Sequence, residues 1–291
     1  MKIYPFEFNE FIDTKNNPLL KKFIAEKALP CIYGYTVDFN KKKVNSLIMV
    51  STIPTCDLTS NNQVIKNILD YIQNNTVVIK HGSYQKEIKI KDLWIKRIKL
   101  SNKLKVPIYI VLWNDNVICL INISQINISK VEEISEKDME GFVEKLSWEE
   151  FAQKLGGMKS LKKQTKKLMY VDIPPFEKRL NIYNVSSPGD LDGFEFSDED
   201  KVILYEFSTR NVSCQDLEQH NPNTFMQQDF KRWVAPMILK NQIENSSTNL
   251  VIWSPCCRDK IIIWENIELN MDKKILTKQQ VRNFSEKENG T

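Results

Sequence analysis

The sequence predicts an α/β protein of the α+β kind, built as two halves that each carry a mixed central sheet flanked by helices. Two observations predict it. Apolar residues recur at helical spacing in some segments and form short continuous runs, the mark of buried strands, in others. The order helix, strand, turn, strand also occurs twice, over about 92–123 and about 223–267. A lysine-rich stretch that begins at Met158 separates the two occurrences, so the expected domains are 1–157 and 158–291.

Composition narrows the classes. The 291 residues suit one large domain or two ordinary ones, and 42% hydrophobic with 27% charged content is that of a globular chain. No apolar run approaches the roughly 18 residues of a membrane span, so no membrane partner is expected. The first residues lack the apolar core of a secretory signal. The six cysteines form no C-x-x-C pair and only two histidines are present, which argues against zinc. A reduced intracellular compartment, cytoplasmic or nuclear, fits these cysteines. The net charge of +4 is too small to identify a partner, so the placement of charge matters more.

Taken in order, residues 16–29 carry Leu19, Leu20, Phe23, Ile24 and Leu29 as a helical stripe ended by Pro30. Strands are expected at 32–39 and 45–52, joined by a lysine turn, then a helix at 61–74. Residues 80–105 are strongly basic, and the part from about 92 to 104 reads as helical. Lys96 and Arg97 in this stretch either track a phosphate backbone or form a solvated face. Strands at 106–113 and 117–123 follow, then a helix at 136–145. Ser147 and Glu150 have the spacing of a capping box that opens another helix, with Gly156-Gly157 as its stop. Lys159, Lys162, Lys163, Lys166 and Lys167 then fall at i, i+3, i+4, i+7 and i+8. As a helix they are one basic stripe, either the wall of a nucleic-acid cleft or an exposed linker between halves. Pro174-Pro175 favours extended structure. In the second half, 222–241 is a helix with Pro236 inside it, and 249–254 and 260–265 are strands.

The recurring order suggests a diverged duplication. Asp115–Ile123 can be laid on Asp259–Ile267 at a constant offset of 144 (259 − 115). Val50-Ser51-Thr52 echoes Phe207-Ser208-Thr209, which puts Met49 where Glu206 stands.

The chemistry concentrates in Gly189-Asp190-Leu191-Asp192-Gly193-Phe194 and in Ile203-Leu204-Tyr205-Glu206-Phe207-Ser208. Asp192 and Glu206 are 14 positions apart (206 − 192), and a turn near Ser197–Asp200 would bring both to one end of one sheet. Two carboxylates held there suit a hard divalent cation with oxygen ligands, Mg²⁺ or Mn²⁺. Strand alternation would add Asp190 to the same face.

This pattern, an acid on one strand and then an apolar strand ending in an acidic motif, resembles the PD-(D/E)xK nucleases with the restriction-endonuclease-like fold. The resemblance runs from Pro188 to Glu265 and implies that fold for the C-terminal half, with the N-terminal half a pseudo-nuclease or binding domain. It implies a metal-dependent endonuclease acting on DNA or RNA, with Asp192 and Glu206 as metal ligands and the Phe207 carbonyl as a third. An inactive nuclease-fold scaffold for nucleic acid or protein is the alternative. Where the family has lysine, this chain has Ser208, and the Glu206-Phe207-Ser208 ending is similar to viral cap-snatching endonuclease domains. There a lysine of the following helix takes the role, which points to Lys231. Arg210 is a further phosphate contact or the positive group itself. Glu177 is the candidate for an upstream acid, and a nuclease that cuts both strands favours a homodimer by symmetry.

Overall fold

The computed structural model describes residues 8–14, 17–53, 61–81, 84–124, 142–159, 174–185 and 188–285. It is a mixed α/β protein whose two larger sheets combine parallel and antiparallel neighbours. The chain forms two compact units that interleave along the sequence. The first comprises Met1–Asn9, Ile32–Asn75 and Arg97–Asp190, and the second Glu10–Cys31, Thr76–Lys96 and Leu191–Thr291. No helix among the described residues is long and apolar enough to cross a membrane.

The first unit is organised on a six-stranded sheet in the order β7-β6-β5-β2-β1-β8. Its strands are β1 (Ile32–Asp38), β2 (Lys43–Thr52), β5 (Ile108–Trp113), β6 (Ile118–Asn122), β7 (Val143–Leu146) and β8 (Gly189–Leu191). Strands β1 and β2 are antiparallel, β2 and β5 parallel, and β5, β6 and β7 antiparallel in turn. The parallel step needs a long crossover, and helices α2 (Asn61–Asn74) and α3 (Ile90–Leu104) lie in it. One face of the sheet is buried under α4 (Trp148–Lys159) and α5 (Pro175–Ile182), through Trp148, Phe151, Leu155, Phe176 and Leu180.

The second unit has a five-stranded sheet in the order β15-β12-β11-β10-β9. These strands are β9 (Gly193–Phe196), β10 (Val202–Thr209), β11 (Ser246–Ser254), β12 (Cys257–Glu265) and β15 (Gln280–Ser285). The turn expected near Ser197–Asp200 closes β9 onto β10, with Asp200 at φ 59°. Strands β10 and β11 are parallel, joined through α6 (Cys214–Gln219) and α7 (Met226–Gln242). One face is covered by Trp233 and Met237 of α7, at the helical spacing the sequence shows. The other face is covered by α1 (Pro18–Lys27), through Leu19, Leu20, Phe23 and Ile24. Asn17 fixes α1 at its start. Its Oδ1 accepts from the Leu20 N–H at 3.0 Å, and its Nδ2 donates to the Ser254 and Cys257 carbonyls. The unit also contains the hairpin β3 (Thr76–His81) and β4 (Tyr84–Lys89), and the short pair β13 (Glu268–Asn270) and β14 (Ile275–Thr277).

Several expectations from the sequence change. Gly156 and Gly157 do not stop α4, which runs on to Lys159; a Cβ at either glycine would meet nothing, so neither is fixed by crowding. The helix expected at 136–145 gives way to β7 from Val143, where the chain pairs with β6, and residues 136–141 lie outside the described ones. Pro174-Pro175 opens α5 instead of extending the chain, because proline suits the first helical position, where no N–H is needed. The offset of 144 is also one residue out. Leu112 pairs with Cys119 and Ile252 pairs with Ile262, so with Leu112 laid on Ile252 the offset of these strands is 143 (262 − 119). A one-residue slip exchanges the two faces of a strand.

Candidate active site

The pairing of β9 with β10 ends at Gly193 and Tyr205, and the next residue on each side is an acid, Asp192 just before β9 and Glu206 within β10. Both are buried, at 9% and 6% exposure, which is unusual for carboxylates. The Phe207 N–H donates to Asp192 Oδ2 at 2.6 Å. Within a strand, a residue's N–H and C=O point to the same edge, so the Phe207 carbonyl is directed to the side where Asp192 lies.

The donor set is oxygen only, which fits Mg²⁺ or Mn²⁺ and not a soft metal. A carboxylate has about four acceptor positions, so the bond from Phe207 does not exhaust Asp192. Asp192 and Glu206 would hold such an ion, with the Phe207 carbonyl beside them.

Asp190 stands on β8 of the first sheet, whereas Asp192 and Glu206 belong to the second unit. The strand breaks at Asp192, between β8 in the first sheet and β9 in the second, so alternation cannot be counted through it. Asp190 is exposed on β8, and with Glu177 it helps to hold the Tyr33 hydroxyl well above the usual phenol range, after burial as the main cause. Ser208, two residues past Glu206, is 5% exposed. Lys231 lies on α7, but its side chain is outside the described ones, as is that of Lys159 on α4. Lys162, Lys163, Lys166 and Lys167 lie outside the described residues.

The other predicted cations have defined places. Lys96 Nζ donates to the Ala28 carbonyl at 2.7 Å, capping the end of α1, and burial lowers its pKa. Arg97 is fully buried, which takes it away from a phosphate-tracking surface. Arg210 follows β10 directly. Its N–H donates to the Trp253 carbonyl, its Nε to His220 Nε2 at 2.8 Å, and its Nη1 to the Thr209 carbonyl. His220 accepts from Arg210 as neutral imidazole. Burial first, and the neighbouring guanidinium second, hold its pKa below the usual 6.5.

Two features escaped the sequence reading. The Arg210–His220 pair joins residues ten apart with no motif between them. Cys214 and Cys257, expected as reduced thiols, are joined in a disulfide, whereas Cys119 and Cys256 are free. Asp259 Oδ1 lies 3.0 Å from Cys214 Sγ and 3.4 Å from Cys257 Sγ. These three could form a metal-ligand set only with the two cysteines as separate thiolates, and the sulfur–sulfur bond excludes that in this form. The spacing of 43 residues between the two cysteines carries no signal by itself. In comparison with known proteins, the chain matches no family model, no curated protein and no solved structure.

Proposed function

We propose that the second unit is a metal-dependent nuclease that hydrolyses phosphodiester bonds in DNA or RNA. The observation that carries this reading is the pair of buried carboxylates, Asp192 just before β9 and Glu206 on the adjacent strand β10, with Asp192 Oδ2 accepting from the N–H of the residue after Glu206. The layout of the unit, an antiparallel β9–β10 pair followed by helix and parallel β11, is the one the PD-(D/E)xK resemblance implies.

A bound Mg²⁺ or Mn²⁺ supplies Lewis acidity and an activated water. Asp192 and Glu206 hold that ion at the sheet end, and the Phe207 N–H fixes the orientation of Asp192. Lys231 takes the role of the family's lysine in stabilising charge, since the Ser208 hydroxyl carries no positive charge. Arg210 contacts a substrate phosphate, and the lysines at 159–167 supply further backbone contacts. This reading places the protein inside the cell, cytoplasmic or nuclear, and a homodimer would serve cleavage of both strands. A second reading, an inactive nuclease-fold scaffold for nucleic acid or protein, is favoured by the serine at position 208.

The test is cleavage of plasmid DNA and of single-stranded RNA with Mn²⁺, Mg²⁺ or chelator. Cleavage that requires the ion and is lost in Asp192→Asn and in Glu206→Gln is expected. Cleavage surviving both substitutions would remove the proposed site. Binding of nucleic acid without cleavage, at any metal concentration, would favour the scaffold.

A further inference from the structure

We propose that the Cys214–Cys257 disulfide is a reversible redox clamp on α6, the helix that carries His220 to Arg210. The clamp stands on geometry independent of the metal, and only its consequence for catalysis rests on the nuclease reading.

Helix α6 has six residues, too few to be stable alone. Its position therefore depends on its anchors. Ser213 caps its start, accepting from the Asp216 N–H. Leu217 is fully buried in the cluster with Trp233 and Ile252. Glu218 pairs with Lys260 of β12. The covalent anchor joins its first residue, Cys214, to the first residue of β12, Cys257. At the other end, His220 closes α6 and receives the Arg210 Nε–H. Arg210 in turn lies four residues beyond Glu206 (210 − 206). The disulfide thus fixes one end of a short helix whose other end receives the Arg210 side chain.

The surroundings favour reversal. Cys214 is half-buried and Cys257 fully buried, so a reductant meets the Cys214 sulfur first. A dithiol reductant attacks there as thiolate, forming a mixed disulfide and releasing Cys257 as thiolate, which takes up a proton. The second thiol of the reductant, attacking as thiolate, displaces Cys214, which is protonated in turn, and the reductant leaves as its own disulfide. Two electrons and two protons have passed to the protein. Asp259 Oδ1 lies within reach of both sulfurs and is placed to accept from either new thiol. Cys256 is exposed but adjacent to Cys257 in the chain, and serves as an internal control.

The experiment compares the full chain oxidised with glutathione disulfide and reduced with dithiothreitol. Alkylation with mass spectrometry counts thiols, hydrogen exchange follows residues 210–222, and Mn²⁺ binding is measured calorimetrically in both states. Reduction should add two alkylated sites, Cys214 and Cys257, and speed exchange of α6 several-fold. Cys214→Ser should exchange fast in both conditions, and Cys256→Ser should retain the wild-type response. Equal exchange of α6 in the two states of the wild-type chain would overturn the clamp. So would alkylation of both cysteines after oxidation, or release of a zinc ion by chelator before they become reactive. Absence of Mn²⁺ heat in both states would count against the nuclease reading alone and leave the exchange result standing.

Discussion

Trp113 and Trp253 stand at the same place in two sheets. Each faces a threonine across a parallel pair, Thr52 and Thr209. Each accepts a bond from the next residue along that strand, Ile53 N–H at 2.9 Å and Arg210 N–H at 2.8 Å. From this point the five strands β7-β6-β5-β2-β1 match β15-β12-β11-β10-β9 in order and in direction. Ile48, Val50, Val111, Trp113, Ile118 and Leu120 on one face correspond to Tyr205, Phe207, Val251, Trp253, Ile261 and Ile263 on the other. Left-handed residues recur as well, Lys105 at φ 56° before β5 and Asn245 at φ 54° before β11. The helices that cover these faces are exchanged. Helix α1 precedes β1 in the chain but packs on the second sheet, and α5 precedes β9 but packs on the first. Both close in the same way, Leu29 N–H to the Ile24 carbonyl and Val185 N–H to the Leu180 carbonyl. What differs is chemistry. At the register positions of Asp192 and Glu206 the first sheet has Tyr33 and Met49 (33 + 49 = 34 + 48). Packing is shared between the two sheets, and the acids belong to one.

The most severe way to break the comparison is to move the acids. Tyr33→Asp with Met49→Glu puts two carboxylates into the first sheet at a place where Met49 is 1% exposed. An uncompensated buried charge costs about 3–5 kcal/mol, so the melting of the first unit should fall sharply. If the positions are equivalent, Mn²⁺ at a hundredfold excess over its Kd returns about 2.7 kcal/mol. Calorimetry with and without the ion checks this, and a loss that Mn²⁺ leaves unchanged would separate the two sites.

Next come the exchanged helices. Leu20→Ala should destabilise the second unit by about 2–5 kcal/mol, and Phe176→Ala the first by about 3–5 kcal/mol, since both side chains are buried against sheet faces. Because two units need not melt together, hydrogen exchange resolved by segment decides which one responds. Protection lost in β9–β12 from a change at Leu20, with β1–β2 unaltered, is the expected result. The reverse would mean that α1 supports the first sheet.

Two corresponding glycines give a finer contrast. Gly34 and Gly193 each leave room for the chain that follows a helix. A Cβ at Gly34 would come within 2.4 Å of Pro188 Cγ, whereas one at Gly193 would stand 3.3 Å from Leu29 Cβ. Gly34→Ala should therefore cost roughly 1–3 kcal/mol of overpacking, and Gly193→Ala less. Denaturant midpoints of the two variants test the ranking.

The sequence made the strands and the acidic hairpin legible because both depend on local signals. Leu19, Leu20, Phe23 and Ile24 announced α1, and the turn before Lys201 announced the pairing of β9 with β10. Which sheet α1 would cover was not legible, since an apolar stripe specifies that it is buried and not against what. The β3–β4 hairpin was hidden because Lys80, Lys86 and Lys89 made its alternation look like a charged surface. Strand alternation does not place Asp190, because periodicity cannot be carried across Asp192, where the strand breaks. The disulfide and the Arg210–His220 pair are long-range contacts between residues that carry no spacing rule.

The smallest expected effect concerns that last pair, and the first sheet provides its control. Ile53 occupies the place of Arg210, so only the second unit has a histidine at this point. His220 has a folded pKa below 6.5. Folding then favours the neutral ring, and the contribution is full above that value. It is lost as pH falls through the lowered folded pKa, when the ring is protonated in both states and Nε2 can no longer accept from Arg210. His220 is only partly buried, so the change should be small, and should be confined to the second unit. An NMR titration of the His220 ring gives its pKa directly. Segment-resolved exchange at pH 7 and pH 5 should show weaker protection in α6, with β5 and β6 unaffected. In His220→Gln, whose amide oxygen can accept from Arg210 at either pH, this dependence should disappear. A dependence that persists in that variant would assign it to another group.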